Sequence, residues 1–260
     1  MVLAGQYLER AVTVNSGELS LDALYHRGDA DPPCLLASPH PALGGSMTAP
    51  VIAELAWALT RAGHATLRFD YRGVGASQGR TRHGPGSMRI LALDDELADL
   101  FAAADQLRAT RGTASVCAVG VSFGAAVVLA AANDARISRI ILVAPPTTLA
   151  DFSALRTLDK PALVVCAHHD PLGDRALLQL SPEGTLEVIP HSDASFRRGL
   201  TELGKLCAAW LRGAPPEAAA PAPSEEEEVA AAPVRELDLD LGDGAPLELD
   251  LDSIAPPHRD

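Results

Sequence analysis

The five residues Gly120-Val121-Ser122-Phe123-Gly124 constrain the fold more than any other part of this chain. Before them runs the apolar stretch Ser115-Val116-Cys117-Ala118-Val119, which reads as a buried strand. After them, residues 125–132 are rich in alanine and read as a helix. A strand that turns sharply into a helix through Gly-x-Ser-x-Gly carries its serine hydroxyl above the sheet, and the two glycines let the backbone make the turn. In such a turn the N–H of Phe123 faces a reacting carbonyl from the first turn of the helix. The bare spacing is weak evidence, so its surroundings must carry the reading.

Those surroundings alternate strand and helix. Strand-like segments fall at 9–14 and 19–26, joined by the turn Asn15-Ser16-Gly17. A third, at 33–37, ends at Pro39-His40-Pro41-Ala42-Leu43-Gly44-Gly45-Ser46. A helix follows with Pro50 in its first turn, Val51, Leu55 and Leu59 on one face, and Gly63 as its stop. The strand at 65–69 runs into Asp70-Tyr71-Arg72-Gly73-Val74-Gly75-Ala76-Ser77. Leu93, Leu97, Leu100, Ala104 and Leu107 keep a helical period, and strands recur at 137–143, 162–167 and 186–189. A last helix carries Leu200, Leu203, Cys207, Trp210 and Leu211 and ends at Gly213.

This order predicts an α/β three-layer sandwich: an eight-stranded, mostly parallel sheet with helices on both faces. In such sheets ligands bind beyond the carboxyl ends of the strands. Residues 38–46, 70–77, Ser122 and Asp170 all follow strands, so they should meet at one edge.

Charge divides the chain in two. The 260 residues carry a net charge of -13, but residues 213–260 hold 13 acidic and 2 basic side chains. Residues 1–212 are therefore nearly neutral, which gives no surface for nucleic acid. The four cysteines, Cys34, Cys117, Cys166 and Cys207, lack Cys-x-x-Cys spacing and sit in apolar stretches, as buried free thiols do in a reducing compartment. The first ten residues lack the basic start and apolar core of a signal peptide, and no apolar run reaches membrane-spanning length. These features lead to the expectation of a cytoplasmic protein with no membrane contact.

With these motifs in hand, residues 20–212 resemble the α/β-hydrolase family. Asp70-Tyr71-Arg72-Gly73-Val74-Gly75-Ala76-Ser77 looks like its Asp-x-Arg-Gly-x-Gly-x-Ser loop. Pro39-His40-Pro41 with Gly44-Gly45-Ser46-Met47 looks like the oxyanion loop of a small bacterial subgroup without a cap. Ala167-His168-His169-Asp170 looks like the family's Gly-x-x-Asp, which implies Asp170 as the acid of a triad whose nucleophile is Ser122. The resemblance implies a serine hydrolase for small-molecule acyl substrates (esters, thioesters or amides), needing no cofactor. Phe123 and the 41–43 stretch (Pro41, Ala42, Leu43) would hold the oxyanion, and His40 would shape that loop. Only a short segment separates the strands at 137–143 and 162–167, so no lid is expected over the cleft. Arg72 is expected to brace its own loop.

The subgroup's histidine motif, Ile-Pro-Gly-x-Asp-His-Phe-Phe, is altered here to Ile189-Pro190-His191-Ser192-Asp193-Ala194-Ser195-Phe196. Aligned on Ile-Pro, Asp and the final Phe, the histidine position is Ala194. A serine without a base is a poor nucleophile. His191 can supply the base from a remodelled loop, or His168 or His169 from beside the acid. Otherwise there is no base, and the fold acts as a binding or regulatory module. His168-His169-Asp170 also suggests a metal, but neighbours on an extended segment point to opposite faces, so no metal is expected.

The domain expectation is a hydrolase domain at 1–212 and a disordered acidic tail at 213–260. The tail holds Glu236-Leu237-Asp238-Leu239-Asp240-Leu241 and Glu248-Leu249-Asp250-Leu251-Asp252-Ser253-Ile254. Acid–leucine alternation puts the leucines on one side of an extended chain, so 236–254 could pair with a protein partner's sheet edge or act only as a solvating tail.

Overall fold

The computed structural model describes residues 8–82 and 92–213. The tail and its acid–leucine pieces lie outside the described residues.

Eight strands form one sheet among the described residues: β1 (Arg10–Ser16), β2 (Leu19–His26), β3 (Ala30–Ala37), β4 (His64–Phe69), β5 (Val116–Val121), β6 (Ile137–Val143), β7 (Ala162–His169) and β8 (Gly184–Asp193). Their spatial order is β1-β2-β4-β3-β5-β6-β7-β8. β1 pairs antiparallel with β2 and β2 with β4, whereas the later pairs are parallel. The predicted architecture is the one observed.

Four α-helices cover the sheet: α1 (Pro50–Arg61), α2 (Asp94–Arg111), α3 (Phe123–Ala131) and α4 (Leu200–Leu211). α2 and α3 pack one apolar layer, in which Leu100, Leu107, Val127 and Val128 meet Leu35, Phe69, Ala118 and Leu142. α1 and α4 pack the other, where Ile52, Leu55, Leu203 and Cys207 meet Leu36, Val119 and Val165. Sandwiched between them, β4 and β5 are buried along their whole length, as the unbroken apolar run of β5 foretold. All four cysteines are free and buried.

Two ends differ from the sequence reading. β3 begins at Ala30, ahead of its two prolines, and β8 runs to Asp193, past Pro190. Between β6 and β7 the chain forms only one 3-10 turn, Ser153–Thr157, so no helical lid is inserted there. No described helix is long and apolar enough to cross a membrane.

Candidate active site

Ser122 sits between the last residue of β5 and the first of α3, at φ 52 and ψ -113. A non-glycine residue in that region is strained by roughly 1–3 kcal/mol, and persists only where its surroundings fix it. Here the Ser122 N–H donates to the Val143 carbonyl at 2.8 Å, and its own carbonyl accepts from Ala125 N at 2.9 Å. The flanking glycines are needed for close approach. A Cβ at Gly120 would strike the Gly124 carbonyl, and one at Gly124 would strike the backbone of Ala37 and Ser38. The elbow is thus wedged against the end of β3, with the half-exposed Ser122 side chain at the carboxyl edge.

The loop after β3 is built onto the same edge. The Ser38 hydroxyl donates to the Phe69 carbonyl at 3.1 Å, and Met47 N–H donates to Asp70 Oδ1 at 2.6 Å. Arg68 donates to the Met47 carbonyl at 2.7 Å and is ion-paired with Glu9. Asp70 is itself enclosed, and burial raises its pKa against the opposing Met47 amide. The glycine-rich loop is held by Arg72, whose guanidinium grips Asp99, a fully buried residue of α2, and Asp95. Asp99 also accepts from Ser16 Oγ at 2.7 Å and from Arg72 N at 2.9 Å. Arg72 is therefore a brace, as its planar fork suits it to be.

His40 is buried, with its ring edge-on to Phe123 at 4.7 Å between centroids. Its Nδ1 accepts from Ala42 N at 3.1 Å, which caps the 3-10 turn Pro41–Leu43. The donors of the 41–43 stretch have partners within the turn. Pro41 has no N–H, that of Ala42 is engaged by His40 Nδ1, and that of Leu43 bonds the His40 carbonyl at 3.0 Å. The 41–43 stretch therefore uses its own donors inside the turn, and an oxyanion would draw on them only if the turn opened. Phe123 opens α3, so its N–H belongs to the first-turn amides that suit an anion.

Asp170 follows β7 directly and is half-buried. Its Oδ1 accepts the Leu172 N–H at 2.9 Å, and a Cβ at Gly173 would come within 2.9 Å of Oδ2. Burial pushes its pKa upward, opposed by the amides of Leu172 and Gly173.

β8 departs from regular pairing beside it. Ala167 pairs with Ile189 but His169 with Asp193, so β8 carries two more residues than β7 over this stretch. Pro190, His191 and Ser192 form the resulting bulge, with His191 at φ 54. Ser192 Oγ donates to the Ile189 carbonyl at 2.7 Å and accepts the His168 N–H at 3.2 Å. The exposed His191 ring stacks on that of His168, 6.2 Å between centroids, while His168 and His169 meet edge-on at 4.4 Å. No hydrogen bond joins His191 to Ser122 or Asp170 among the described residues. The structure therefore gathers the three histidines in the stretch that leads to the acid. The bulge was missed in the sequence, although a proline inside a strand marks such a site. No group of three or more His, Cys, Asp or Glu side chains among the described residues could hold a metal ion.

Comparisons with known proteins bear on the fold. The model of the family described as serine aminopeptidase, S33, matches residues 43–168. An uncharacterized protein of Rickettsia prowazekii is 30% identical over 146 residues, 54% of this chain, and the chain spans only 58% of that relative's length. An alpha-beta serine hydrolase homologue from Coxiella burnetii superposes with a TM-score of 0.68 at 26% identity, covering 81% of this chain and 99% of the other. A serine hydrolase without lid from Xanthomonas campestris gives 0.67 at 29% identity, covering 80% and 95%.

Proposed function

We propose that this chain, which resembles the α/β-hydrolase family in its form without a lid, is a hydrolase in which Ser122 attacks the carbonyl of an ester, thioester or amide and carries the acyl group as an intermediate. One observation carries the reading: Ser122 is held at positive φ between two glycines that no larger residue could replace, at the edge where Asp170 also stands. Backbone strain at a serine wedged between two close-packed glycines supports the reading that its hydroxyl is presented to a substrate.

In this reading the Ser122 oxygen adds to the carbonyl carbon and the Phe123 N–H supports the developing oxyanion. A base removes the serine proton and returns it to the leaving group, and water then releases the acyl group by the same route. His191 is the proposed base and Asp170 the acid that orients it. To act, the 190–192 bulge must carry the His191 ring from His168 toward Asp170 and Ser122. A bulge is suited to such re-aiming, because its middle residue is free of ladder pairing. With only a 3-10 turn between β6 and β7, the cleft is open, which suits small or extended substrates.

Turnover of short p-nitrophenyl esters tests the proposal. The wild type should hydrolyse them and Ser122→Ala should not; equal rates for both would overturn it.

A further inference from the structure

The segment that leaves β6 touches both ends of the proposed site. It begins at Val143, whose carbonyl accepts the Ser122 N–H at 2.8 Å. Ala144 follows at φ 47, a strained value for a residue with a side chain, and its N–H donates to the Val165 carbonyl of β7 at 2.8 Å. The chain thus turns off the sheet directly beside the elbow, and Pro145, Pro146 and Thr147 are buried as it does so.

Two threonines then join this segment to the turn after β7. The Thr147 hydroxyl donates to the Asp174 carbonyl at 3.0 Å and accepts the Asp174 N–H at 2.7 Å, so one oxygen closes on both backbone groups of that residue. The Leu172 carbonyl accepts twice from Thr148, from Oγ1 at 3.0 Å and from N at 3.1 Å. Leu172 in turn presents its N–H to Asp170 Oδ1 at 2.9 Å. The other hydrogen bonds of residues 171–174, among the described residues, stay within this turn and the 3-10 turn that follows it: Gly173 N to the Asp170 carbonyl, Leu177 N to the Asp174 carbonyl, and Ala176 N to Asp174 Oδ1. The two threonines are therefore what fastens the turn to the segment that also holds Ser122.

We infer that Thr147 and Thr148 are positioning residues for Asp170, holding the Leu172 amide against its carboxylate and fixing that carboxylate relative to Ser122. Their effect on turnover rests on the reading of Ser122 as nucleophile and Asp170 as acid; their hold on Asp170 does not.

The hold is tested without turnover by following the Asp170 Cγ resonance across pH in the full chain labelled with 13C-aspartate, assigned by its loss in Asp170→Asn. Burial raises the Asp170 pKa and the amides of Leu172 and Gly173 oppose it, so freeing the turn should move the titration to higher pH. Thr147→Val keeps the side-chain shape without the hydroxyl and should show that move, whereas Thr147→Ser should titrate like the wild type. Asp174 is exposed, so water can replace the lost bonds and the variant should stay folded. Should Thr147→Val unfold, Thr148→Val, which loses its hydroxyl from an exposed position and keeps its N–H, carries the same expectation. A titration unchanged or moved to lower pH in the folded valine variant overturns the proposal. On p-nitrophenyl butyrate, Thr147→Val should lower kcat by about 10- to 100-fold, the cost of a misplaced group, with KM little changed, and Thr147→Ser should restore it. In an Asp170→Asn background the valine should cost nothing more. An equal further loss there would show that Thr147 does not act through Asp170. Absent turnover in the wild type would instead count against the hydrolase reading, while the Asp170 titration still decides the hold.

Discussion

Asp170 and Ala194 each stand one residue past the paired residues His169 and Asp193, so the acid and the alanine leave neighbouring strands at the same level. A histidine at 194 would emerge beside Asp170. This chain has a methyl group there and carries its histidine three residues earlier, on the bulge.

That relationship separates two outcomes. With His191 as base, His191→Ala should lower kcat on esters by a factor on the order of 10²–10⁴, and Ala194→His should change it little. The opposite pattern, a large gain from Ala194→His and no loss from His191→Ala, would show that His191 is not the base. Steady-state rates of the two variants across pH decide the matter.

The elbow glycines should be intolerant of any side chain. Gly124→Ala would force a methyl group into the backbone of Ala37 and Ser38, and should lower stability by about 1–3 kcal/mol or more through overpacking. Gly112→Ala is the contrasting case: φ is 67 there, but nothing lies within 4 Å of the added Cβ. Its cost should be limited to backbone strain of about 1 kcal/mol. Thermal unfolding should rank Gly124→Ala well below Gly112→Ala. The reverse order would count against the wedge described for the elbow.

We propose that residues 1–212 form the hydrolase domain and fold without the acidic segment that follows. α4 closes its own C-terminus, since Arg212 N bonds the Ala208 carbonyl at 3.3 Å and Gly213 N bonds that of Trp210 at 3.0 Å. A chain ended after Gly213 should melt within a degree or two of the full-length protein, because the net charge of residues 1–212 is only -2 and their core needs no acidic partner. Aggregation or a melting temperature many degrees lower would show that the following residues belong to the fold.

Much of the architecture was legible because parallel strands buried on both faces read as unbroken apolar runs, as β5 does, and because glycines mark the turns. The brace made by Arg72 was legible in its residue type, but its partners Asp95 and Asp99 lie on α2, and no local pattern joins them to the loop. The donors of the 41–43 turn could not be assigned from sequence. Their use depends on whether the chain closes into a 3-10 turn around His40, which is set by packing on Phe123. The bulge at 190–192 arises from the register of β8 against β7, and register is a property of two strands that neither sequence carries alone. The histidines at 168 and 191 meet only because of it.

Labelling with a fluorophosphonate probe, followed by mass mapping of the modified peptide, shows whether Ser122 is the nucleophile. Such a probe reacts with an activated serine and leaves ordinary serines untouched. One adduct is expected at neutral pH, on Ser122, absent from Ser122→Ala. A folded protein that takes no adduct, or takes it on another serine, would contradict Ser122 as the nucleophile.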